Sequence, residues 1–114
     1  MSKMKDLLEC RAGVLKALSD PVRLKIVEFL KGGERCVCEI IPFLGRSQST
    51  TSKNLDILYR AGILDRRIDG KRTLYKIRNP QVFALLKDVD ALALDQMSSF
   101  SKTAKILEES LKGK

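Results

Sequence analysis

One stretch limits what this chain can become. After Asn79-Pro80, the residues Val82, Leu86, Val89, Ala93, Met97, Phe100, Ala104, Leu107 and Leu111 recur at steps of four or three. That period is helical, and it predicts one helix of about 30 residues, or two with a break near Ser98-Ser99. Asn79-Pro80 reads as a cap followed by a first-position proline. A chain of 114 residues cannot cover so long an apolar stripe alone. The stripe therefore predicts a partner helix from a second copy, a homodimer. The same length predicts a single domain over residues 1–114.

The rest of the chain is helical too, with one exception. Met4, Leu7, Leu8, Leu15 and Leu18 predict a first helix over about residues 4–18, interrupted by Arg11. Asp20-Pro21 caps and opens a second helix, which carries Val22, Ile26, Val27 and Leu30 and ends at Gly32-Gly33. Cys38 to Leu44 predicts a short third helix closed by Gly45, and the hydroxyls of Ser47 to Thr50 open a fourth that ends near Gly62. The exception is Asp69-Gly70, the favoured pair for a two-residue type I′ turn, between Leu64–Ile68 and Lys71–Ile77. The expected fold is mainly α with a β-hairpin wing: a winged helix-turn-helix, which is a duplex-binding architecture.

Charge agrees with that expectation. The net charge is +8, and it is not spread evenly. Between residues 46 and 78, nine cations (Arg46, Lys53, Arg60, Arg66, Arg67, Lys71, Arg72, Lys76 and Arg78) face only Asp56, Asp65 and Asp69, whereas residues 79–114 balance. A localised positive field suits a polyanion such as double-stranded DNA. Histidine and tryptophan are absent. No nucleophile–base–orienter set can be assembled without histidine, and no glycine-rich phosphate loop is present, so the chain does not read as an enzyme. Few aromatics argue against a stacking platform for single strands. No apolar run reaches the roughly 20 residues of a membrane span. Met1-Ser2-Lys3-Met4-Lys5-Asp6 lacks the apolar core of a signal peptide. The expectation is a cytoplasmic protein with reduced thiols.

The fourth helix begins with an unusual set of residues. Ser47, Gln48, Ser49, Thr51, Ser52, Lys53 and Asn54 crowd its first two turns, and large apolar residues start only at Leu55. Ser, Thr and Asn are poor helix-interior residues. Their hydroxyls and amides, with Gln48 and Lys53, are what base edges and phosphates accept. Ser47 and Thr50 can also serve simply as caps. In the hairpin, Arg66, Arg67, Lys71 and Arg72 can hold phosphates beside the duplex, or else form a charged edge that discourages strand pairing. The predicted DNA contacts are Ser47, Gln48, Ser49, Thr51, Ser52, Lys53, Arg67, Lys71 and Arg72.

These residues also carry a resemblance. Ala17-Leu18-Ser19-Asp20-Pro21-Val22-Arg23-Leu24-Lys25-Ile26 resembles the opening signature of the ArsR/SmtB family of metal-responsive repressors. Ser47 through Leu58, followed by Ala61-Gly62-Ile63-Leu64, resembles the family's recognition helix and its exit into the wing. The resemblance extends over about residues 10–100. It implies a homodimeric repressor that dimerises through its first and last helices and binds a partly palindromic operator, one half-site per protomer.

Cys36-Val37-Cys38 resembles the family's Cys-Val-Cys-Asp-Leu element, which implies arsenite, antimonite or a soft divalent ion as effector. In the most familiar arsenite pattern a third cysteine follows three residues after the second; here that position is Ile41. Cys10 is the remaining thiol and a candidate third ligand, from the same or the partner protomer. Its bland reading is a buried small side chain. Cadmium and lead are alternative effectors. So is a thiol-oxidation signal in which Cys36 or Cys38 pairs with Cys10. Cadmium prefers four thiolates and a protomer has three, which favours a three-coordinate ion. A protein-interaction module that reuses the fold is a further alternative. On a regular helix, positions i and i+2 point about 200° apart, so two-sulfur ligation requires this segment to be non-helical or the third helix to unwind at its start. Asp88, Asp90 and Asp95 lie on the last helix, but without histidine the family's other zinc site is absent.

Overall fold

The computed structural model describes residues 3–113; Met1 and Ser2, part of the N-terminal stretch read above, and Lys114 lie outside the described residues. The chain divides into two compact units, residues 1–79 and residues 80–114.

The first unit holds α1 (Lys3–Leu18), α2 (Pro21–Leu30), β1 (Arg35–Cys36), α3 (Val37–Leu44), α4 (Gln48–Arg60), β2 (Leu64–Asp69) and β3 (Arg72–Ile77). Asp20 starts α2 as predicted: its carboxylate accepts from the N–H groups of Val22 at 2.9 Å and Arg23 at 3.1 Å. Arg23 then ties three elements together. Its Nε donates to the Ala17 carbonyl at 2.6 Å, its Nη2 to the Lys16 carbonyl at 3.2 Å, and its Nη1 to Asn54 Oδ1 at 3.1 Å. The free carbonyls at the end of α1 are thus satisfied by a side chain that also holds α4. Asp20→Ala should cost about 1 kcal/mol of stability, measured by denaturant unfolding.

Ile26, Val27, Leu30, Ile40, Leu55, Leu58 and Leu64 form the core, nearly all of them fully buried. The turn from α3 to α4 uses Gly45 at φ 66°, the left-handed conformation that favours glycine, and its N–H closes on the Ile41 carbonyl at 3.0 Å. Ser47 caps α4 by accepting from Thr50 N–H at 3.1 Å.

The wing is a three-stranded antiparallel sheet of order β1-β3-β2, not a plain hairpin. Cys36 is opposite Leu74, and Leu74 is opposite Arg67 on the other side. The sequence reading missed β1, because two residues show no strand periodicity. The third helix also begins one residue earlier than predicted, at Val37.

The second unit is α5 (Gln81–Lys112), a continuous helix of 32 residues with no break at Ser98-Ser99. Pro80, not Asn79, occupies its cap position, so the helix begins one residue later than expected. None of its residues is buried, and Val89, Leu92, Leu94, Met97, Phe100, Ile106, Leu107 and Leu111 are exposed. No described helix is long and apolar enough to cross a membrane.

Candidate functional site

In α4 the polar residues separate into two groups. Gln48, Ser49, Ser52 and Lys53 are exposed along the first two turns. At this spacing they share one side of the helix. Ser47 is exposed but committed: besides capping, its hydroxyl donates to Thr50 Oγ1 at 3.0 Å. Asn54 accepts from Arg23, and its own amide donates to the Thr50 carbonyl at 2.9 Å.

Thr51 is a correction to the sequence reading. It is 0% exposed and packs into the core, so it cannot touch a duplex. Its hydroxyl has no hydrogen-bond partner among the described residues. A buried unpaired hydroxyl costs about 1–3 kcal/mol. Thr51→Val should therefore raise the unfolding midpoint and leave DNA affinity unchanged; a DNA-contacting threonine would show the reverse.

The wing cations divide in the same way. Arg66 stacks 3.9 Å over the Tyr59 ring and reaches Asp56 at 3.3 Å. Arg67 is held by Glu34 through two bonds, Nε at 3.0 Å and Nη2 at 2.7 Å. The Arg67 hydrogen bond holds the Glu34 carboxyl below its ordinary range, and the same bond raises Arg67. Glu34 is thus ionised at neutral pH. The pairing survives acidification to the ordinary carboxylate range and is lost only as pH falls through the lowered value. A side-chain NMR titration of Glu34 should place its midpoint below that of a free glutamate. Arg72 faces Asp69 at 3.6 Å across the turn. Lys53 and Lys71 are exposed, with no ion-pair partner among the described residues. Of the three wing and α4 cations predicted to touch DNA besides Arg67, they are the two without an ion pair.

Cys36 and Cys38 form a disulfide. Cys36 stands outside α3, with φ −71° and ψ 146°, as the residue that caps it. Its sulfur accepts from Cys38 N–H at 3.0 Å, while the Glu39 carboxylate accepts from Cys36 N–H at 3.1 Å. That backbone bond, helped by Arg35 at 3.2 Å, lowers the Glu39 carboxyl below its ordinary range. Extended backbone at Cys36 brings the two sulfurs together, so two-sulfur ligation needs no unwinding of α3. Cys36 is buried and Cys38 exposed.

The two sets of residues meet in one groove. Cys36, Val37, Cys38 and Ile41 form one wall, Gln48 and Ser52 of α4 a second, and Lys71, Arg72, Thr73 and Tyr75 the third. Cys10 is elsewhere. It is exposed and unpaired on α1, in a groove with Asp6, Glu9, Gly13, Val14, Arg60 and Ala61. Disulfide pairing of Cys36 or Cys38 with Cys10 is therefore corrected, because the two neighbouring cysteines pair with each other. Among the described residues no group of three His, Cys, Asp or Glu side chains could hold a metal.

Comparison with known proteins gives this geometry a family. The profile for "Bacterial regulatory protein, arsR family" matches residues 20–66, from the α2 cap into β2. The chain is 41% identical over 85 residues to the uncharacterized HTH-type transcriptional regulator MJ1325 of Methanocaldococcus jannaschii, covering 74% of this chain and 96% of that one. It is 40% identical over 77 residues to the cadmium resistance transcriptional regulatory protein CadC of Listeria innocua, covering 67% and 65%. Among solved structures it superposes with a TM-score of 0.73 and 34% identity on the homodimeric winged helix-turn-helix DNA-binding domain of Mb0332 from Mycobacterium bovis, a possible ArsR-family regulator, covering 82% and 86%. The winged helix, the exposed polar face of α4 and these relatives agree: the chain belongs to the ArsR family, a transcriptional regulator with a DNA-binding fold and not an enzyme.

Proposed function

We propose that this protein is a cytoplasmic, homodimeric repressor that leaves its operator when arsenite or antimonite is bound by the Cys36 and Cys38 thiolates. The observation that carries this reading is the shared groove, in which both sulfurs line the space that Gln48, Ser52, Lys71 and Arg72 also line. Trivalent arsenic and antimony are thiophilic, and the reduced pair offers two adjacent soft donors. A ligand there perturbs β1, which is bonded to the wing strand β3 at Cys36–Leu74 and tethered to β2 by Glu34–Arg67. Binding that favours a displaced wing must weaken operator affinity by the same factor that operator weakens binding. Ser47, Gln48, Ser49, Ser52 and Lys53 of α4, with Lys71 and Arg72, face the duplex; Arg67 reaches phosphate only by leaving Glu34. Cys10 of the partner subunit is the candidate third sulfur, since α1 carries it on a face with exposed Leu7 and Leu15. The uncovered stripe of α5 and the homodimeric Mycobacterium bovis relative support the dimer.

The Cys36–Cys38 disulfide favours a second reading, in which oxidation is the signal. Two thiols would then give two electrons and two protons to hydrogen peroxide, whose O–O bond breaks as the S–S bond forms, and two waters leave. One titration separates the readings. DNA complexes of wild type and Cys10→Ser are exposed to arsenite, antimonite, cadmium, lead, zinc and hydrogen peroxide in turn, the metals under reducing conditions. Release by arsenite and antimonite at the lowest concentrations supports the first reading. Release by peroxide alone supports the second, and release by cadmium or lead alone changes the ion. Weakened arsenite response in Cys10→Ser identifies the third ligand.

A further inference from the structure

Ile68 is 77% exposed, more than any other exposed large apolar residue described. Scattered exposed apolar side chains are ordinary; the position of this one is not. It stands at the end of the wing, directly before the Asp69-Gly70 turn, between Arg67 on its own strand and Lys71 and Arg72 past the turn. Its cross-strand partner is Thr73, which lines the groove with Gln48 and Ser52. Directly opposed residues of an antiparallel pair project from the same face. Ile68 therefore extends the α4-facing side of the wing outward, beyond the groove.

We propose that Ile68 is an apolar wedge that enters the minor groove flanking the major groove occupied by α4, and partly unstacks a base step there. The proposal rests on the duplex-binding reading and goes beyond it. A major groove about 12 Å wide admits a helix, whereas an undistorted minor groove about 6 Å wide leaves room for a single side chain from the wing tip. Lys71 and Arg72 draw the tip against the phosphates that border that groove. Isoleucine is among the side chains that proteins insert between base steps. Burial of its exposed surface offsets the unstacking. Pyrimidine–purine steps unstack most easily, so Ile68 selects sequence in a flank where the protein makes no hydrogen bond to a base.

The test begins with a 30-base-pair duplex enriched by the intact protein from a randomised pool, with 2-aminopurine placed at successive steps beside each half-site. Wild type should raise 2-aminopurine fluorescence at one flanking step, and the pool should be enriched there for TA or CA/TG. Ile68→Thr, which keeps the β-branch, should abolish the rise and weaken binding roughly ten-fold. The slope of affinity against salt should not change, because no charge is removed. If wild type raises no signal at any step, or Ile68→Thr binds as tightly as wild type, the wedge is overturned. The wild-type measurement stands even if the variant folds poorly. Failure to enrich any duplex would count against duplex binding itself.

Discussion

Replacing Cys38 by serine is expected to leave operator affinity within about two-fold of wild type while the arsenite concentration for half-release rises more than a hundred-fold. Loss of a group that merely orients a metal ligand costs about 10–100-fold, so loss of a ligand exceeds that range. The backbone supports the prediction that DNA binding survives. Cys38 contributes its N–H to the cap of α3, and serine keeps that N–H. Cys36→Ser is the sharper variant. Its sulfur occupies the cap position of α3, where serine is among the preferred residues. The helix start is retained while a soft donor is replaced by a hard one. Fluorescence anisotropy of a labelled operator during arsenite titration reads both quantities. A Cys36→Ser protein still released at the wild-type arsenite concentration would remove the ion from this pair.

The second large effect concerns the duplex, and it separates charge from readout. Lys53→Ala combined with Lys71→Ala should lower the slope of log affinity against log salt by about 1.8 per half-site, at about 0.9 per phosphate contact. Affinity should fall for every sequence alike. Both lysines are exposed and unpaired among the described residues, so their loss breaks no internal bond. Gln48→Ala should leave the slope alone and cost about 1–3 kcal/mol on the selected operator only. If the double lysine variant keeps the wild-type slope, neither residue faces phosphate. Arg67 is the contrasting case, because Glu34 already holds it.

Much of this was legible in the chain because it is encoded locally. Asp20-Pro21 announced a helix start, Asp69-Gly70 a hairpin, and the recurrence after Pro80 a long amphipathic helix; each signal lies within a few residues of the structure it specifies. The polar opening of α4 was legible for the same reason, and Gln48, Ser49, Ser52 and Lys53 are exposed there. Thr51 was misplaced because it sits among residues of identical chemistry. Its spacing of four and seven residues to Leu55 and Leu58 was the available signal, since those three are the buried residues of α4.

The order of helices and wing, the concentration of positive charge between residues 46 and 78 and the adjacency of two thiols are all written in the chain. What those thiols can reach depends on contacts between distant parts of the chain. Cys36 pairs with Leu74, and Glu34 binds Arg67, across more than thirty residues of chain. A two-residue strand has no periodicity to detect, and a salt bridge between distant side chains leaves no local pattern. Both exist because the hydrophobic core of α2, α3 and α4 closes and sets β1 beside the wing, which brings the two cysteines into the groove that Gln48, Ser52, Lys71 and Arg72 also line.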